Sequence, residues 1–407
     1  MPVFDPTDIA LHTDPYGRLK LLREENPVHY VPALKGWAVF RYGDVQSVLR
    51  APDMSADKIT PFYRSLGPEQ RSQVQVLVDY LGRWLVFRDP PDHTRLRGLV
   101  ARAFTPRALA ELRPGVERLV ETLIDRLHDK QDGPVDLVAE FANPLPAYVI
   151  MDMLGVPRGM LDDMRAWSED IKLFIGTARQ TPDKYALARR GVEAMADAFR
   201  KLIDERRTRP QSDVLSSLVS VHDAQDGRLI DEELIATAIL FLFAGHETTA
   251  SLISMASIEL MRHPHVRDEF LAHAEFTGTA VEEFLRYDGP TPSMMRIATV
   301  DHEIDGRPIR AGERVWAFIG AANRDPAEFS DPDLIDIARA PNRHVTFGFG
   351  PHFCLGAPLA RMEAQIALPA LHRRYPQMSL VGAPDDWNDG LTLRGPRRVM
   401  VQLGRAA

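Results

Sequence analysis

Apolar residues recur at helical spacing along most of the chain, and the pattern predicts a mainly α-helical fold with minor β structure. The clearest helical segments are 107–129, 186–208, 231–263, 279–287 and 357–374. Segment 231–263 is apolar nearly all round, as expected of a helix running through the middle of a protein. It opens with Asp231, Glu232 and Glu233, acids that suit the positive end of a helix dipole, and Pro264 is expected to end it. Strands are expected in two places. Val28 to Tyr42 alternates enough for a strand pair, and 297–319 reads as short strands joined by turns at Asp305–Gly306 and Ala311–Gly312. No repeat, low-complexity tract or linker interrupts the pattern, so 1–407 is expected to be a single domain with no fused reductase.

Composition narrows the classes of function. With 407 residues, of which 45% are hydrophobic, the chain can bury a core large enough to enclose a cofactor and a ligand. Its net charge of −8 argues against a nucleic-acid partner. The longest strongly apolar stretch, Leu234 to Gly245, is shorter than the roughly 20 residues of a membrane span. The N-terminus has no cationic start followed by an apolar core, so no signal peptide is visible. The lone cysteine, Cys354, cannot form an internal disulfide, which favours a reducing compartment. Together these features lead to the expectation of a cytoplasmic protein that does not engage membranes.

Three segments carry candidate chemistry. In FGFGPHFCLGAPLARMEAQIAL, Phe347 to Leu368, glycines 348, 350 and 356 bracket Cys354, and a helical pattern follows directly. Glycine permits tight turns and close approach to a flat ligand, and a helix N-terminus favours an anion such as a thiolate. A small buried cysteine is the plainer reading of the same residues. Zinc is weaker, because His344, His352 and Cys354 include no paired cysteines, and a nucleophilic cysteine would need a histidine partner. In AGHETT, Ala244 to Thr249, Gly245 interrupts a helix at a cost of roughly 1 kcal/mol against alanine. The Thr248 hydroxyl could bond the carbonyl of Gly245 or Ala244 and open a local groove. In VEEFLRY, Glu283 and Arg286 stand three residues apart on one helical face, a spacing common in any surface helix.

Taken together, these segments resemble the cytochrome P-450 family in its soluble bacterial form. FGFGPHFCLG matches the haem-binding signature at Phe347, Gly348, Gly350, Cys354 and Gly356, with His352 where many members carry arginine. AGHETT resembles the central-helix motif, and VEEFLRY the ExxR motif with Arg339 as third member. DHTRLR, with His93 and Arg97, ANRDPAEF and FANPLPAYVIMDMLGVP are further family-like segments, so the resemblance runs from about residue 85 to 375. It implies a helix-rich fold with small β-sheets and haem b between the long central helix and the cysteine-loop helix. By the same resemblance Cys354 is the axial iron ligand. His93, Arg97, Arg296 and His352 hold the propionates, and Phe347, Gly348 and Ala244 border the ring. Thr248 and Glu247 handle oxygen and protons, Thr249 assists or packs, and His246 has no catalytic role. Glu283, Arg286 and Arg339 are structural, supporting the cysteine loop from behind.

The implied activity is a monooxygenase that activates O2 and inserts one oxygen atom into a small apolar substrate by hydroxylation, epoxidation or dealkylation. A peroxide-driven peroxygenase is the alternative, which the Glu247–Thr248 pair disfavours; a non-catalytic haem protein or a purely structural protein comes after it. No flavin, iron–sulfur or GxGxxG motif is present, so electrons from NAD(P)H should arrive through a separate reductase and a ferredoxin or flavodoxin. Arg95, Arg97, Arg102, Arg107 and Arg113, with only Glu111 among them, form a candidate docking patch. By family position, substrate candidates come from segment 60–90, the stretch around Phe174, Leu240 to Ala244 with Phe241 and Phe243, Thr291 to Met295 with Met294 and Met295, and Leu391 to Leu393. Methionines suit such a pocket because they adapt to irregular shape.

Overall fold

A computed structural model describes residues 1–8, 10–130, 132–175, 183–223, 229–388 and 390–406. Helices make up most of it, and the strands are short: β1 (Val28–Val31), β2 (Gly36–Val39), β3 (Met54–Ser55), β4 (Val135–Asp136), β5 (Met294–Ala298), β6 (His302–Ile304), β7 (Arg307–Ile309), β8 (Arg314–Ala317), β9 (Ser379–Leu380) and β10 (Met400–Gln402). The five expected helices are present as Pro106–His128, Lys184–Thr208, Asp231–Arg262, Thr277–Tyr287 and Ala357–Arg374. Contacts divide the chain into two units: Met1–Met54, Arg113–Pro146 and Glu247–Ala407 form one, and Ser55–Leu112 with Ala147–His246 the other.

The first unit holds the main sheet, ordered β1-β2-β8-β5-β3. The expected strand pair is β1 and β2, antiparallel with Val28 opposite Val39, and β2 then runs parallel to β8. Gly36 makes that parallel contact possible, because a Cβ there would lie 2.7 Å from the Arg314 carbonyl oxygen. The expected turns also form: Gly306 and Gly312 both adopt positive φ, which glycine tolerates best. On one face of the sheet, Val39, Val315 and Ala317 share a buried core with Val45 and Val345, and Met294 and Phe349 pack against it. The sheet core therefore reaches the base of the cysteine loop.

In the second unit, helix Leu161–Ile175 packs along helix Lys184–Thr208. The contact is closest at Gly191, where a Cβ would lie 2.7 Å from the Trp167 carbonyl oxygen and 2.8 Å from the Asp170 Cβ. Arg206, buried on the second of these helices, bonds Asp213 at 2.7 Å and the Gly155 carbonyl at 2.8 Å. Each polar partner is thus satisfied where water is excluded.

Asp231–Arg262, the central helix, contributes residues to both units. It ends at Arg262, and the next residue, His263, leaves the helical region at φ −120° and ψ 75°, as the steric demand of the following proline requires. Pro264 does more than stop it, because it occupies the first turn of the following helix, Pro264–Ala272. At the other end Glu233 accepts the Ile230 backbone N–H and two bonds from Arg95. By length and composition this helix could cross a membrane, although no single stretch of the sequence looked long enough; 72% of its most apolar window is buried within the protein.

Gly191→Val should force the two helices of the second unit apart at a backbone carbonyl that cannot yield. The expected loss is about 1–3 kcal/mol, read as a lower urea midpoint with an unchanged slope. A wild-type midpoint would contradict this account of the contact.

Candidate active site

Cys354 is solvent-exposed, an unusual setting for a cysteine outside a disulfide, which is among the residue types most often buried. Its loop is shaped by Gly348 and Gly350, both at positive φ. At Gly350 a Cβ would also press within 3.2 Å of the Arg50 Cα, so side chains are excluded there on two counts. The Cys354 amide donates to the Phe347 carbonyl at 2.8 Å, which closes the loop on itself. A Cβ on Gly356 would stand 4.0 Å from the Cys354 sulfur, and helix Ala357–Arg374 begins immediately after that glycine. The sulfur thus lies just before a helix N-terminus, where positive backbone ends favour a thiolate.

Behind the loop lies a buried carboxylate. Glu283 and Arg286, neither exposed at all, are joined by two bonds of 2.7 Å. Arg339 adds its Nε at 3.1 Å, Asn342 its amide at 3.0 Å and Asp336 its backbone N–H at 2.9 Å. The remaining N–H groups of Arg286 donate to the carbonyls of Asn323, Pro332 and Leu334, so all five are used. Asn323 carries the network forward: its side chain bonds the Val345 amide and the Thr346 hydroxyl, just before Phe347.

A second clamp was not read from the sequence. Arg361, on the helix after Cys354, forms two 2.7 Å bonds to Glu282, and His344 bonds the same carboxylate at 3.1 Å. Burial alone would raise the Glu282 pKa, but the bonds and charges of His344 and Arg361 prevail and lower it to about 2. Arg361 also lies 4.6 Å from the centre of the Phe347 ring. The only sequence signal was an arginine in ARMEA and a second glutamate in VEEF, neither distinctive by itself.

Along the central helix, every residue from Glu233 to Leu260 is buried except Ala244, Gly245, Glu247, Thr248 and Ser251. Residues 244, 247, 248 and 251 fall at i, i+3, i+4 and i+7 and therefore form one accessible stripe. It coincides with AGHETT. His246 is buried on another side; desolvation lowers its pKa, and its Nδ1 lies 2.8 Å from the Leu242 carbonyl. Gly245 has a packing explanation of its own: a Cβ there would lie 2.8 Å from Ile150 Cγ1.

Of the remaining candidates, Arg296 is buried on β5, and His352 is half-buried in the cysteine loop; both belong to the first unit with Cys354, Glu247 and Thr248. His93 and Arg97 share a face of helix Asp92–Val100 in the second unit, His93 buried and Arg97 half-buried. Among the described residues the Arg97 side chain makes no hydrogen bond or ion pair. Phe241 and Phe243 are buried, one packed edge-on against Phe104 and the other against Trp84, and Leu240 is buried beside them in sequence. Phe174 packs with Phe62 and Tyr185. Met294 and Met295 are consecutive on a strand and so point to opposite faces; the first packs against Gly348 and the core below it. Leu393 is half-buried in the C-terminal loop.

Glu283→Ala leaves two buried guanidinium groups without their carboxylate, and the expected cost is about 3–5 kcal/mol. Denaturant titration should show it, together with loss of bound haem; wild-type stability would contradict the network's role. Glu282 has its folded pKa below the ordinary 4.5, so its contribution is complete above that pH and fades as pH falls toward 2. The stability gap between wild type and Glu282→Gln should therefore narrow as pH drops below about 4.5. A gap independent of pH, followed by thermal unfolding, would contradict the assignment.

Comparison with known proteins places this geometry. The family model for cytochrome P-450 matches residues 66–379. The chain is 34% identical over 415 aligned residues to the polyketide biosynthesis cytochrome P-450 PksS of Bacillus subtilis, covering 99% of each. It is 40% identical to the mycinamicin IV hydroxylase/epoxidase of Micromonospora griseorubida, covering 95% of this chain and 94% of that one. Among solved structures, the P-450 BioI in complex with an acyl carrier protein ligated to hexadec-9Z-enoic acid superposes with a TM-score of 0.88 at 34% identity, over 97% of this chain and 100% of that one. Sequence match, fold and the cysteine loop agree, and the chain belongs to the cytochrome P-450 family as one of its monooxygenases.

Proposed function

We propose that the protein is a haem-thiolate monooxygenase that hydroxylates or epoxidises a small, largely apolar molecule with electrons from a separate redox protein. The observation that carries this reading is an exposed thiol in a glycine-shaped loop, in the same unit as the accessible Glu247 and Thr248 of an otherwise buried helix. Relatives named as a hydroxylase/epoxidase and a vitamin D(3) 25-hydroxylase support the reaction class. Haem and O2 use follow from family membership.

The residues present suit haem b. Cys354 supplies the anionic sulfur for the iron, and the Gly356 position leaves the sulfur uncrowded. In the first unit Arg296 and His352 would supply donors for the propionates, and Phe347 and Gly348 would present a flat and a small surface to the ring. His93, Arg97 and Ala244, in the second unit, are candidates for the same roles by family position. Bound there, haem provides the iron at which O2 is reduced and one of its atoms is transferred to a C–H or C=C bond.

The protein's own contribution is proton control and exclusion of water. Thr248 would hold a proton on its hydroxyl at the accessible stripe, and Glu247, one residue before it, would help relay protons through its carboxylate. Buried Leu240 and Phe241, a turn earlier, keep that side of the helix apolar. Ala244, Met294, Met295, Phe174 and Leu393 remain substrate candidates, with Met294 partly committed to supporting Gly348.

Electrons from NAD(P)H would arrive through a reductase and a ferredoxin- or flavodoxin-type carrier, since the chain carries no motif for either. The cations of the arginine patch differ in their partners. Arg95 is committed to Glu233, Arg107 pairs with Glu111 and Arg113 with Glu117, which leaves exposed Arg102 as its clearest docking cation. A cytoplasmic single-domain enzyme is consistent with these assignments.

The test is reconstitution with haem, NAD(P)H and a ferredoxin–reductase pair against a panel of apolar compounds under isotopically labelled O2. One labelled oxygen atom per product molecule is expected, and unlabelled product or none across the panel would contradict the reading. With a turned-over substrate, Thr248→Ala should keep consuming NAD(P)H while product per NAD(P)H falls about tenfold or more. Undiminished coupling would remove the assigned role.

A further inference from the structure

The C-terminal loop that contains Leu393 is held by a buried polar cluster that neither the signature motifs nor the haem donors account for. Asp288 and Arg394, 8% and 4% exposed, form a direct ion pair. Tyr16, at the start of helix Tyr16–Glu25, donates its hydroxyl to the same carboxylate at 2.6 Å. Arg394 donates further to the Thr13 carbonyl at 3.0 Å and stacks 4.4 Å from the Trp387 ring. Arg324 sits 3.6 Å from the Tyr16 ring and 3.7 Å from the Tyr287 ring, fixing the tyrosine that touches Asp288.

Two further bonds fasten the loop backbone beside this pair. The Arg394 amide donates to the Pro290 carbonyl at 2.9 Å, and the Ser293 hydroxyl donates to the Leu391 carbonyl at 2.5 Å. Leu393 is therefore bracketed on both sides by anchored residues.

The loop is also seated on the central helix. Gly395 is so close to it that a Cβ would overlap the Ser251 side chain at 2.1 Å, and the Arg394 guanidinium reaches the Met255 sulfur at 3.4 Å. Residues 248, 251 and 255 follow at i, i+3 and i+7, so both contacts lie on the helix face that carries Thr248. Leu393 stands two residues from the Gly395 contact, and Ser251 one turn from Thr248.

We propose that the Asp288–Arg394–Tyr16 cluster is a positioning device that fixes Leu393 beside the Thr248 turn, so that the N-terminal helix helps select which part of a substrate faces the iron. The inference rests on the haem-monooxygenase reading and adds to it residues that touch neither haem nor the reacting atoms. A cluster acting only on stability would weaken every ligand alike. A positioning device discriminates by size, because only a ligand extending past the iron meets the wall that Leu393 forms.

The experiment uses the haem-loaded enzyme and two iron ligands, imidazole and the larger 4-phenylimidazole, each titrated by the shift of the haem absorption band. In Asp288→Asn, 4-phenylimidazole should bind about tenfold more weakly than in wild type while imidazole stays within about twofold. Should that variant fail to load haem, Tyr16→Phe keeps the ring over Arg324 and removes only the bond to Asp288; a change of about threefold, confined to 4-phenylimidazole, is expected. Equal effects on both ligands, or no effect on either, would overturn the proposal. A wild-type protein showing no imidazole shift would overturn the haem reading itself, and with it the role of the cluster.

Discussion

Much of the first unit depends on one carboxylate that never meets water. Glu283 is surrounded by Arg286, Arg339, Asn342 and the Asp336 amide, and every donor on Arg286 is used in return. Two buried cations around one anion are tolerable only when such bonds replace hydration, and any missing partner leaves a charge stranded. The arrangement ties segments far apart in sequence, 283–286, 323 and 330–342, to the residues that enter the cysteine loop. A loop with two positive-φ glycines and an exposed thiol has little packing of its own. Its shape comes from this scaffold and from Arg361 on Glu282, which holds the following helix to the same support.

The central helix applies the opposite constraint. Burial is complete from Glu233 to Leu260 apart from five residues, and four of these, Ala244, Glu247, Thr248 and Ser251, form one accessible stripe. Gly245 lies beside it, where Ile150 takes the space a side chain would need. Ser251 and Met255 continue the line to the C-terminal loop, where Gly395 makes the closest approach. This face of the helix thus joins Glu247 and Thr248, the proposed proton-handling pair, to the loop that contains Leu393.

What the sequence revealed followed from strong local signals. Long helices with sustained periodicity, the strand pair at Val28 to Tyr42 and the glycine turns were legible because a few neighbouring residues determine them. Cys354, Thr248, Glu283 and Arg286 were legible only as parts of motifs, since a lone cysteine or a Glu-x-x-Arg spacing has commoner explanations. Short helices such as Tyr16–Glu25 and Asp92–Val100 do not stand out by periodicity; their charged residues dilute the apolar pattern, and tertiary contacts decide them. Pairings between distant segments left no sequence trace. Glu282–Arg361, Asp288–Arg394 and the Gly191 contact join ordinary residue types that only the fold brings together. Within the arginine patch the same holds of Arg95, which meets Glu233, an acid supplied from far along the chain.

The central claim is that Cys354 presents a thiolate to haem iron, and the absorption spectrum of the reduced, carbon-monoxide-bound protein tests it most directly. An anionic sulfur opposite carbon monoxide gives the strongly red-shifted band by which the family is known, and wild-type protein is expected to show it. A band at the shorter wavelength typical of histidine ligation, in protein whose fold is intact, would contradict the account.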